Sequence, residues 1–174
     1  HINGGPVWSV HRLDMETSGI LMLAKTEESC AELCKQFRER TIKKKYLAEV
    51  AGCVKPELSV INFRLRPDKN NRPWQVVDNE NGKDAQTLIR IKDIDHHRST
   101  DTTLVELEPI TGRTHQLRVH LASSDHPILG DTLYANEEIK NKSKYLRLHA
   151  QFLEFDHPVS GERVQIESKS CGFL

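Results

Sequence analysis

The residues best equipped for chemistry come early in the chain. His11-Arg12-Leu13-Asp14 sets an arginine two positions from a carboxylate, and the turn-forming Thr17-Ser18-Gly19 follows at once. The apolar run Ile20-Leu21-Met22-Leu23-Ala24 comes next. It is short, unbroken and bounded by turn residues, which predicts a buried strand. A loop anchored on such a strand holds its acid in one place, as an active site requires. Asp14 is therefore a candidate acid. A plain turn-capping role through Thr17 or Ser18 competes with that reading, because aspartate is favoured in turns.

A second cluster runs from Thr111 to Leu121 and holds Arg113, His115, Arg118 and His120. If it is helical, Leu117 and Leu121 share a face, and Thr111 or Thr114 stands where an N-cap belongs. Arg118 lies beside that face. A guanidinium there is partly buried and needs an acid partner, for which Asp14 is the expected choice. The bland alternative is a solvated basic helix face. His115, His120, His126 and His149 raise the question of a metal, but their segments lack a coherent ligand set with nearby acids. Structural histidines and no metal are expected.

The elements that must position these groups follow from periodicity. Cys30, Leu33, Cys34 and Phe37 repeat at the helical spacing over residues 27–40, with Thr26 as N-cap and Glu27 and Glu28 in the first turn. Residues 44–52 alternate as a strand, with Tyr46, Ala48 and Val50 on one face. Further strands are predicted over 85–94, 102–110 and 146–155, the last with Leu148, Ala150 and Phe152 in one row. Val164 and Ile166 form a short final strand after a turn at Pro158 and Gly161. Many strands and two clear helices predict an α+β fold: a largely antiparallel mixed sheet flanked by a few helices. The polar loop 66–84, with Pro67, Asn70, Asn71, Pro73 and Gly82, reads as a mobile or partner-contacting excursion.

Composition sets bounds. The chain has 174 residues, 37% hydrophobic and 29% charged, which suits one folded domain rather than disorder. Formal net charge is +0, so the whole-chain field offers no argument for nucleic acid. Local clusters must carry any such argument, among them Lys43-Lys44-Lys45, Lys69 with Arg72, and Arg113 with Arg118. No apolar stretch approaches a membrane span, and no secretory signal is visible. Cys30, Cys34, Cys53 and Cys171 form no C-x-x-C pair and read as reduced thiols in a cytoplasmic protein.

An ordered series of motifs resembles the RluA-type pseudouridine synthase family. His11-Arg12-Leu13-Asp14 with Thr17-Ser18-Gly19 is similar to its catalytic motif, and Lys44-Lys45-Tyr46-Leu47-Ala48 to its tyrosine motif. Gly82-Lys83 with Ala85 and Thr87, Gly112 through His120, His126-Pro127-Ile128-Leu129-Gly130-Asp131 and Leu148-His149-Ala150 complete the set. The resemblance spans about residues 7–167. It implies one catalytic domain, 1–174, lacking N-terminal strands or an accessory domain of a longer protein, since members carry such parts before the catalytic motif.

The resemblance implies an enzyme that isomerises uridine to pseudouridine in structured RNA, ribosomal or transfer RNA, without a cofactor, as a monomer and with no membrane partner. It implies Asp14, Tyr46 and Arg118 as catalytic. Arg12, Arg113, Lys44, Lys45 and Leu148 are implied in RNA binding. Tyr46 would stack on the uracil, Arg12 would fill the space vacated by a flipped base, and Leu148 would wall the base pocket. By strand periodicity alone, Tyr46 is a sheet-face tyrosine. Arg72-Pro73-Trp74-Gln75 resembles the branch acting on RNA stem-loops. A non-catalytic RNA-binding domain of the same fold is the alternative, and a base-excising glycosidase is a third reading.

Overall fold

The structure, a computed structural model, describes residues 5–95 and 101–169. Cys171 lies outside the described residues. The elements in chain order are β1 (Trp8–Ser9), β2 (Ser18–Gly19), β3 (Leu23–Ala24), α1 (Glu27–Glu39), β4 (Lys43–Ala51), β5 (Val60–Pro67), β6 (Gln75–Val77), β7 (Lys83–Asp95), β8 (Thr102–Pro109), α2 (Gln116–Ala122), α3 (Glu137–Asn141), β9 (Leu148–Asp156) and β10 (Arg163–Glu167). One sheet dominates, in the order β10-β9-β4-β8-β7-β5-β6 with every neighbour antiparallel. β2 adds a parallel pairing to β9, which makes the sheet mixed. This is the expected α+β architecture.

Helix α1 forms as its sequence dictates. Thr26 accepts from the Ser29 amide at 3.2 Å, and the helix buries Leu33 with Cys30, Cys34 and Phe37 against Val10, Met22, Leu153 and Phe155. The main core lies between the sheet and α2, where Ala48, Val50, Val105, Leu107, Leu117, Leu121 and Leu148 meet. Burial of such side chains contributes roughly 1.5–3 kcal/mol each.

The expected strand over 20–24 does not form as one piece. Ser18 and Gly19 join β9, Leu23 and Ala24 join β1, and the chain changes partner between them. Met22 and Ala24 are buried while Leu21 and Leu23 are exposed. The row Leu148, Ala150, Phe152 is also broken. A bulge shifts the register at Lys45/Tyr46, where Tyr46 faces Ala150 and Lys45 faces Phe152. Past it the buried side changes phase to Leu153 and Phe155, which pack on α1. The segment 66–84 is less free than its composition suggests. It contains β6, paired to β5, and the Gln75 amide donates to the Tyr134 hydroxyl at 2.9 Å.

Candidate active site

Asp14 opens a tight turn closed by the Thr17 amide donating to the Asp14 carbonyl at 3.0 Å. Both sides of the turn are anchored. On one side His11 Nε2 accepts from the Met22 amide at 2.9 Å, and its ring packs on Phe37. Burial, and then the Lys44 charge, push the His11 pKa down, so the ring stays neutral and keeps that acceptor. On the other side Ile20 donates to the Ala150 carbonyl at 2.9 Å. Gly19 has φ +107°, and a Cβ there would lie 2.3 Å from the Ala150 oxygen, so the close approach of β2 to β9 requires glycine.

Beside the turn lies a cleft of about 710 Å³. Asp14, Arg12, Tyr46, Lys44, Arg113 and Leu148 all line it, from four separate stretches of sequence. Tyr46 reaches it from β4 where β9 bulges at Gln151 opposite Lys45/Tyr46, a device that re-aims side chains beside sites. Burial, and then the charge of Asp14, push its hydroxyl up to about 12. The phenol therefore stays protonated at neutral pH and feels the carboxylate. Lys44 is partly buried, which lowers its pKa, and its ammonium lies 5.9 Å from the Phe37 ring centre. Arg113 is steadied by donation from Nε to the Asp84 carbonyl at 3.0 Å. Leu148, 2% exposed, forms an apolar wall.

The lining is strongly cationic in a chain of no net charge. Arg12, Arg38, Arg40, Lys43, Lys44 and Arg113 face two carboxylates, Asp14 and Glu108. Lys43 is held by Glu154 at 3.3 Å. Among the described residues the other five cations have no carboxylate within ion-pair distance. Such a cleft focuses a positive field on an anionic polymer.

Two sequence expectations need correction. Lys45 does not line the cleft. It lies on the other face of β4, where Nζ is 3.4 Å from Glu106 and over the Phe152 ring. Strand alternation sends neighbours to opposite faces, so Lys44 and Lys45 cannot share one. Arg118 is buried as expected, 2% exposed, but Asp14 is not its bonded partner. Arg118 donates from Nε and Nη2 to the two oxygens of Asp131, at 2.8 and 2.6 Å, and lies 3.6 Å from Glu16. Burial alone would lower its pKa, but the bonds and charge of Asp131 outweigh that. Asp14 and Glu16 add smaller contributions through space, and the net shift is upward.

Asp131 is the partner that sequence reasoning left without a role. It is fully buried and also accepts the Leu133 and Tyr134 amides at 2.8 and 3.0 Å. Its signal was an aspartate capping the backbone two and three positions on, an Asx pattern. The tie to the catalytic turn runs through Glu16, which accepts from Thr132 at 2.9 Å. Helix α2 starts at His115 in the left-handed region, φ 53°, rather than at Thr111 or Thr114. Thr111 and the Arg113 amide instead donate to the Gln116 side chain. His115 shares a 2.7 Å hydrogen bond with Tyr134. His126 and His149 are bonded to Ala51 and to Ser18 and Ser168, while His120 is buried with neither ring nitrogen partnered among the described residues.

Similarity to known proteins agrees with this geometry. Residues 3–123 match the family model described as RNA pseudouridylate synthase. The dual-specificity RNA pseudouridine synthase RluA of Escherichia coli (strain K12) is 44% identical over 160 residues, 92% of this chain and 72% of that protein. The protein of the same description from Vibrio parahaemolyticus is 49% identical over 152 residues, 87% of this chain and 61% of its own length. Human RNA Pseudouridylate Synthase Domain Containing 1 superposes with a TM-score of 0.84 at 28% identity, covering 94% of this chain and 69% of that one. A turn-borne aspartate facing a tyrosine across a cationic cleft, on this sheet and with these relatives, makes the chain a member of the RNA pseudouridylate synthase family, which isomerises uridine in RNA to pseudouridine.

Proposed function

We propose that Asp14 is the essential acid of uridine isomerisation and that Tyr46 and Leu148 hold the uracil against it. The supporting observation is that these three side chains line one cleft whose rim carries unpaired cations. The reaction breaks the N1–C1′ bond, turns the base and forms a C5–C1′ bond, after which C5 gives up its proton and N1 ends protonated, so the atoms balance. A carboxylate assists by acting as nucleophile or base while positive character develops at the sugar. Tyr46 supplies a stacking face. Its hydroxyl, raised to about 12, is a hydrogen-bond donor at neutral pH rather than a resident phenolate.

Arg118 acts on Asp14 through space and through the Asp131–Glu16 framework, so it is a positioning residue in this scheme. The uridine must leave its stack, at a cost of a few kcal/mol. Arg12 occupies the vacated place, and Arg113 and Lys44 hold phosphates. The proposed substrates are stem-loops of ribosomal or transfer RNA, in line with the dual-specificity relatives. The proposed setting is the cytoplasm, in keeping with the free thiols of Cys30 and Cys34 among the described residues. The proposed acting unit is a monomer, since one chain lines the whole cleft.

The test is to treat uridine-containing RNA with the purified protein. The expected product has unchanged mass and a carbodiimide-stable adduct that stops primer extension at the target uridine. Loss of uracil would mark a glycosidase. Binding without either change would mark a binding module.

A further inference from the structure

A second groove, of about 330 Å³, opens from the catalytic cleft over the β5–β7 hairpin and shares Arg40, Ile110 and Thr111 with it. Its floor is built from two adjacent cross-strand pairs. Asn62 stands directly opposite Gln86, and Arg64 opposite Asp84. Residues two apart on a strand share a face, so the four side chains form one polar patch. Arg64 and Asp84 satisfy each other, with Nε 3.1 Å from the carboxylate, and Arg64 also donates to the Asn79 and Glu80 carbonyls. The two amides are different. Among the described residues, neither the Asn62 nor the Gln86 side chain has a hydrogen-bond partner, although the Gln86 backbone is fully used by Thr111, Ile110 and Gln116.

We propose that this groove is a nucleotide subsite in which the Asn62–Gln86 amide pair reads the base next to the isomerised uridine. The inference rests on the proposed action on RNA. Two adjacent amides offer donors and acceptors side by side, the equipment for a base edge. The groove shares Arg40, Ile110 and Thr111 with the cleft, so it adjoins the place of the isomerised uridine and is open to a neighbouring nucleotide. Arg40, exposed at the shared rim and without a carboxylate partner among the described residues, is placed for the connecting phosphate. The Arg64–Asp84 pair is neutralised, so the uncompensated charge among the groove's lining residues is Arg40 at the rim, and the floor suits a base better than a phosphate.

The test uses sixteen stem-loops in which one loop uridine is flanked on each side by each of the four bases. Pseudouridine formation is followed with wild-type protein and with the double variant Asn62→Ala/Gln86→Ala. The wild type should prefer one flanking base on one side by roughly tenfold or more, the range of amide–base discrimination. The double variant should lose that preference and show a severalfold higher KM on the best substrate, with kcat and melting temperature unchanged. Asn62→Gln should alter the preference without abolishing it. A folded double variant with wild-type KM and an unchanged flanking profile overturns the subsite and leaves the proposed reaction intact. A wild-type protein that leaves all sixteen stem-loops and total cellular RNA unmodified overturns the reaction, and the subsite with it.

Discussion

Asp14 and Asp131 carry the same side chain and opposite duties. Asp131 is fully buried, takes two bonds from Arg118 and two from backbone amides, and has no access to solvent. Asp14 is only partly buried, lines the cleft, and has no ion-pair partner among the described residues. One carboxylate is spent on structure and the other is the one proposed to act on substrate. The strong ion pair marks the scaffold, while the carboxylate without an ion-pair partner among the described residues is the one the proposed chemistry uses.

The largest effect should separate the two. Asp14→Asn should lower turnover by roughly 10³-fold or more, with melting temperature and RNA affinity nearly unchanged. Tritium release from RNA labelled at uridine C5, alongside thermal melting, measures both. Near-normal turnover would remove Asp14 from the centre of the mechanism. Asp131→Asn should do the reverse in kind, removing about 3–5 kcal/mol of stability by leaving Arg118 buried and uncompensated. Denaturant unfolding checks this. The double change Arg118→Met/Asp131→Asn, which keeps an oxygen for the Leu133 and Tyr134 amides, should recover most of that stability, and its residual turnover then measures how much Arg118 positions Asp14.

A third prediction concerns pH. His120 is fully buried, and desolvation lowers its pKa from 6.5 to about 4. The unfolded chain therefore binds a proton that the native chain refuses. Stability should be complete above about pH 6.5 and fall as pH drops toward 4, by about 3 kcal/mol in all. His120→Leu should flatten that limb of the unfolding profile. The smallest effect sharpens the contrast between used and unused charge. Arg113→Gln or Lys44→Gln should each reduce the salt slope of RNA affinity by about 0.7–0.9. Lys45→Gln, on the paired face, should leave it unchanged.

Local signals in the sequence were sufficient wherever a structure is locally determined. Thr26 and the spacing of Leu33 and Phe37 define α1, and the turn after Asp14 follows from Thr17, Ser18 and Gly19. Three failures have one origin. Residues 20–24 looked like a single strand because the outward positions Leu21 and Leu23 are also apolar, so no alternation marks the change of partner. The bulge opposite Lys45/Tyr46 leaves no mark in the pattern of β9. Arg118 had Asp14, Glu16 and Asp131 to choose from, and residue type cannot rank acids that only the tertiary fold brings near. Asp14 stood out from its turn and the apolar run after it, but Tyr46 came from motif resemblance, since periodicity would have left it as an ordinary sheet tyrosine.

The short parallel pairing of Ser18 and Gly19 with His149 and Ala150 also sets an order of assembly. It joins segments about 130 positions apart, so the Gly19 side of the turn bearing Asp14, unlike the His11 side, is moored when β9 is in place. Contacts this distant in sequence form late, after the loop between them has closed. During synthesis the early strands can pair, yet catalytic competence must await β9. A truncation before residue 148 should therefore yield a protein that has both Asp14 and Tyr46 and no activity.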